Sequence, residues 1–145
     1  MDTAGFLSQA EEQRVGAAIA AAERATTAEI KVVVLRWCWS DLAGKAVEVF
    51  HRLALDRTKA HNCVLILVVR ANREFIIYGD RGISARVGFD YWFDVRDVMA
   101  GHFRAGRMAE GVCEAIGMIG EKMAEHYPAQ GENPNEIDDA IVHES

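Results

Sequence analysis

Apolar residues run almost unbroken through Ile30-Lys31-Val32-Val33-Val34-Leu35 and again through Cys63-Val64-Leu65-Ile66-Leu67-Val68-Val69. Runs of this length without alternation predict strands covered on both faces. Between them, Ala46, Phe50, Leu53 and Ala54 recur at helical spacing behind Ser40-Asp41, a pair suited to an N-cap. A helix-length connection of this kind predicts parallel strands. Glu74-Phe75-Ile76-Ile77-Tyr78 reads as a third strand, and the short link Ala71-Asn72-Arg73 forces it antiparallel to the second. Ahead of the first strand, Ser8-Gln9-Ala10-Glu11 is a capping box, followed by Val15, Ala18, Ile19 and Ala22 on one helical face. That helix stops near Thr26-Thr27. Past the hairpin, Trp92, Val95, Met99 and Phe103 share a face, as do Met108, Val112, Ile116, Ile119, Met123 and Tyr127. Arg104-Ala105-Gly106-Arg107 breaks between these two helices, and Pro128 ends the last. The expected fold is a layered α/β sandwich with a short mixed β-sheet flanked by helices. One domain spans 1–130, and an acidic tail spans 131–145, either free or docked through Ile137, Ile141 and Val142.

Composition narrows the function. At 145 residues and half apolar, the chain has material for an ordinary core without disulfide or metal staples. A net charge of -6 argues against binding a phosphate backbone, which needs a basic face. The three cysteines, Cys38, Cys63 and Cys113, form no CxxC pair, so neither zinc nor a thioredoxin-like site is expected. Cys63 and Cys113 sit in apolar patterns and are read as buried thiols in a reducing compartment. The first residues lack the features of a signal peptide, and no stretch nears the roughly 20 apolar residues of a membrane span. The expectation is a cytoplasmic protein with no nucleic-acid partner and no membrane insertion.

Several stretches, taken in order, resemble the TPM domain, the family of thylakoid-lumen and photosystem-repair proteins. They are the first helix leading into Ala28-Glu29-Ile30, the strand after Asn62, the hairpin ending in Gly79-Asp80-Arg81-Gly82-Ile83, and Phe103-Arg104-Ala105-Gly106-Arg107. The tail Asn135-Glu136-Ile137-Asp138-Asp139 is similar to that of the short soluble bacterial branch. The chain departs from the family at Cys63, where glycine is usual, and at Gly79–Gly82, where longer members carry Gly-Tyr-Gly. The resemblance implies divalent-cation binding, acid phosphatase activity or a role as partner in a membrane-protein complex, since members differ.

Candidate chemistry gathers at the strand ends, where open α/β sheets bind ligands. Glu29 starts the first strand, Asp80 follows the third, and Asp90 and Asp94 open the next helix. Carboxylates from one rim with the carbonyls of a glycine-rich turn suit calcium or magnesium. Asp90 matches the acidic residue that the family carries after its turn. The competing readings are an N-cap for Asp90, a first-turn charge for Asp94, and a pairing of Asp80 with Arg81 or Arg86. A phosphatase would draw on Asp80, Arg81 and Arg86, yet no Cys-x5-Arg loop, Asp-x-Asp motif or His-Asp metal cluster is present. The histidines form no tight ligand spacing, and Cys63 is read as core rather than as a partner of His61. Trp37-Cys38-Trp39 puts two indoles on one side of the first strand's continuation, either packed under a neighbouring element or holding a homo-oligomer or another protein partner. The functional expectation is a non-catalytic binding or scaffold module with a divalent cation at the rim; the alternative is an acid or metal-dependent phosphatase acting there.

Overall fold

The computed structural model describes residues 7–130 and 137–144. The elements run α1 (Gln9–Arg24), β1 (Glu29–Leu35), α2 (Leu42–Arg52), β2 (Cys63–Val69), β3 (Glu74–Gly79), α3 (Arg81–Ser84), α4 (Phe89–Arg104), α5 (Met108–His126) and β4 (Val142–Glu144). The sheet order is β3-β2-β1-β4. β1 and β2 are parallel, with Glu29 opposite Cys63 and Leu35 opposite Val69. β3 closes the antiparallel hairpin on β2, and β4 lies parallel to β1 on its other side. The expected mixed α/β sheet is therefore present, extended by a fourth strand from the tail.

The layers follow from strand alternation. Ile30, Val32, Val34, Val64, Ile66 and Val68 face α1, α4 and α5 in the larger core cluster. Val33, Leu35, Cys63, Leu65, Leu67 and Val69 face α2. Ser8 and Glu11 make the capping box of α1 in both directions. The Asp41 carboxylate caps α2 by accepting from the Gly44 amide at 2.9 Å. α2 stops at Arg52, one residue short of Leu53, and Ala54 turns the chain at φ 55°. α5 lies tight on α1 because a Cβ at Gly120 would come within 2.7 Å of the Ala22 Cβ. Where α1 ends, the Thr26 hydroxyl donates to the Tyr127 carbonyl at 2.5 Å, tying the start of β1 to the end of α5.

The tail is held by the two charged side chains of β1. Glu29 and Lys31 are both buried, two residues apart on the α2 face. A Glu29 carboxylate oxygen accepts from the Ile137 amide at 3.2 Å, while the Lys31 ammonium donates to the carbonyls of Asp138 and Ala140 at 2.8 and 2.6 Å. Ile137 is buried in the α2-side core, and Arg52 grips both oxygens of Glu144 at 2.7 and 2.8 Å. At the opposite end of β1 the strand stops at Leu35. Trp37 and Trp39 stack on each other at 6.0 Å with Arg36 over Trp37. The packed reading of this pair does not hold, since Trp39 is 88% exposed and Trp37 43%.

Candidate functional site

The chain turn Gly79–Ile83 sits where β3 ends, beside the first residues of β1 and β2. That is the amino end of the parallel pair, opposite to the carboxyl end where open α/β sheets usually bind ligands. The turn is built by close approach. The Gly82 amide donates to the His61 carbonyl at 3.0 Å, and a Cβ on Gly82 would collide with the backbone oxygens of Ala60 and His61. Asp80 caps the short α3 by accepting from the Arg81 amide at 2.8 Å.

Three carboxylates converge at this end: Glu23 from the last turn of α1, Glu29 from the first position of β1 and Asp139 from the tail. One oxygen of each lies within 4.8 Å of the others. Burial, reinforced by a hydrogen bond with Asp139, pushes the Glu23 carboxyl up to about 9, against the lowering effect of the Ile30 amide that donates to it at 2.7 Å. Glu23 thus holds a proton at neutral pH when no cation is present. One Asp139 carboxylate oxygen is buried without a hydrogen-bond partner. The donor set is three hard oxygens, which fits calcium or magnesium and disfavours soft metals.

Asp80 lies on the other side of Cys63, its amide bonded to the Cys63 carbonyl at 3.0 Å. Glu29 and Asp80 are thus two strand spacings apart, about 10 Å. The Asp80 carboxylate faces His61 Nδ1 at 3.4 Å, and His61 Nε2 is 2.7 Å from an Arg81 guanidinium nitrogen. Arginine can only donate, so Nε2 is the acceptor and the ring proton of neutral His61 sits on Nδ1, toward Asp80. His61 adopts φ 50°, which turns it out of line with the strand that begins at Cys63. The Cys63 thiol is held far above its ordinary value by burial and then by Glu29, so it is no nucleophile at neutral pH. Cys113 is only half-buried.

Of the four rim acids, Glu29 enters the three-carboxylate cluster and Asp80 flanks it. Asp90 and Asp94 are exposed on α4 and belong to no ligating cluster among the described residues. The cap of α4 is Gly88, with Asp90 a favourable charge in the first turn. Arg86 turns away from Asp80 and covers the Tyr127 ring at 4.8 Å. Sequence reasoning missed Glu23, Lys31, His61 and Asp139. Two signals were present: a carboxylate at the negative end of a helix, where it is unfavourable, and a lysine inside an otherwise apolar strand.

Among the described residues no helix is long and apolar enough to cross a membrane. The BA42 protein from the psychrophilic bacterium Bizionia argentinensis superposes with a TM-score of 0.92 at 32% identity, over 98% of both chains. The N-terminal domain of a P. gingivalis protein superposes with a TM-score of 0.73 at 21% identity, over 90% of this chain and 86% of that one, a likeness of fold alone. No curated protein matches the sequence. The TPM domain profile matches residues 1–122, so with this turn, sheet and helical layer in place the chain belongs to the TPM domain family.

Proposed function

We propose that this chain is a non-catalytic binding module that holds a divalent cation, calcium or magnesium, through Glu23, Glu29 and Asp139. The observation that carries the reading is the convergence of three carboxylates from three separate segments on one point. Without a cation, burial first, then the hydrogen bond with Asp139 and the neighbouring carboxylates, keep Glu23 protonated. A bound cation would neutralise them together and tie α1, β1 and the tail. Asp80 adds negative charge to the same end. Titrating calcium or magnesium while following the melting temperature tests this, because an ion bound only by the native state raises stability. Glu29→Gln and Asp139→Asn should each abolish the rise. No rise at millimolar cation, or a rise that survives both substitutions, overturns the reading.

The second reading, a phosphatase at the same end, is favoured by Arg81, His61 and Asp80 standing in contact. Arg81 could hold phosphoryl oxygens and the Asp80-oriented imidazole could move a proton. Hydrolysis of p-nitrophenyl phosphate that disappears in both Asp80→Ala and Arg81→Ala would establish it. The likeness to BA42 at 32% identity supports the reading of a short bacterial branch, and three free thiols support a cytoplasmic location.

A further inference from the structure

We propose that the open edge of β3 and the groove between β3 and α4 form a docking site for an extended acidic peptide, which adds to the sheet as a further strand. Among the described residues β3 is outermost in the order β3-β2-β1-β4, so one row of its backbone amides and carbonyls has no described strand beside it. The usual defences of such an edge are a proline, a bulge or charges along the strand. In Glu-Phe-Ile-Ile-Tyr-Gly the only charge is Glu74, at the first position.

Beside this edge three hollows follow one another along the strand. One of about 300 Å³ lies at the Asn72–Phe75 end, one of about 220 Å³ lies over Phe75 and Ile77, and one of about 400 Å³ reaches Gly79 and Val87. Phe75, Ile77 and Trp92 are shared between neighbours, so the three make one continuous apolar groove. A strand of six residues is about 20 Å long, which suits a partner segment of similar length.

Charge decides the occupant. The chain as a whole carries -6, yet among the described residues every charged side chain lining the three hollows is an arginine: Arg73, Arg96 and Arg104. A partner strand with apolar residues at alternate positions would fill the groove with one face and meet the guanidinium groups with carboxylates. A second copy of this chain fits less well, because antiparallel edge-to-edge pairing of β3 with itself would bring the two Arg96 side chains together at the middle of the seam and supply no carboxylate from the grooves.

The probe is a fluorescein-labelled peptide of about seven residues alternating glutamate and valine, followed by anisotropy, with backbone amide shifts as the map. The expected result is saturable binding, shifts centred on Glu74–Gly79, and at least a tenfold weakening in Arg96→Glu/Arg104→Glu, about one decade of affinity for charges this exposed. These two side chains lie on the outer surface of α4, so the variant's unchanged melting temperature separates lost docking from lost fold. A lysine-for-glutamate peptide should not bind. The proposal is overturned by no saturable binding at millimolar peptide, by equal binding of the lysine peptide, or by unchanged affinity in the double variant. It is also overturned by a concentration-dependent dimer with shifts at Glu74–Gly79 in the absence of peptide, which assigns the edge to a second copy.

Discussion

Glu23 links cation binding to pH, and the linkage can be worked through. Its carboxyl titrates near 9 in the native chain against an ordinary 4.5. A cation that recruits the carboxylate must displace that proton. Between pH 6 and 8, where the group is protonated in the free chain, each ion bound releases one proton, and apparent affinity strengthens about tenfold per pH unit. At pH 7, about two units below the titration point, the proton weakens binding by about a hundredfold relative to the fully ionised carboxylate. In the absence of cation the sign reverses. A raised carboxyl contributes stability that is complete below 4.5 and is lost as pH rises toward 9, since the folded chain holds a proton that the unfolded chain has released. One full proton corresponds to about 1.4 kcal/mol per pH unit; for a group this partly exposed, solvent screening narrows the pH window over which that slope holds. Glu23→Gln removes the titrating group while keeping an oxygen for the Ile30 amide. It should flatten the stability slope between pH 5 and 9 and make calcium affinity nearly independent of pH. Calorimetry in buffers of different ionisation enthalpy counts the protons, and urea melts at several pH values give the slope. Calcium affinity that is flat from pH 6 to 8 in the parent chain, with no proton released, refutes the reasoning.

Other outcomes follow from the packing. Gly82→Ala pushes a methyl into the Ala60–His61 backbone and should cost about 1–3 kcal/mol, whereas Gly117→Ala, on an open helical face, should gain about 0.5–1 kcal/mol; urea denaturation separates them. Lys31→Met leaves the carbonyls of Asp138 and Ala140 without their donor and should destabilise by about 1–3 kcal/mol, with hydrogen exchange quickening first at Val142–Glu144. Trp37→Ser/Trp39→Ser should leave the melting temperature within a degree or two, because neither indole supports the core. If the pair holds a homo-oligomer, light scattering on the same variant will report a smaller particle; an unchanged mass removes that role.

The layers were legible because burial writes itself into residue type. The unbroken runs ending at Leu35 and Val69 could only be strands covered on both sides, and the short link before Glu74 could only be a hairpin. The fourth strand was not legible. Val142–Glu144 is three residues long and has no pattern of its own; what places it is Lys31, reaching two tail carbonyls 107 and 109 residues further on. The site was half legible for the same reason. Glu29 and Asp80 stand at strand ends, which periodicity locates, but Glu23 looks like one more polar helical residue until the tail folds Asp139 against it. Asp90 and Asp94 were drawn in by closeness along the chain to the turn, and helical geometry carries them to the solvent side. His61 escaped because a left-handed residue cannot be read from alternation.

The tail that Lys31 and Glu29 hold has a consequence for how the protein is made. Synthesis runs from the amino end, and the ribosome conceals the most recently added residues. β1, β2 and the helices can therefore assemble while Asp139 and β4 do not yet exist. During that interval the two charged side chains of β1 face solvent and one flank of the sheet stands open. The third carboxylate is made more than a hundred residues after the other two, so affinity for a cation at this point would arise only once the tail has docked. An ion held there would mark a docked tail, and a chain whose Ile137–Glu144 segment had not yet folded back would pass it by.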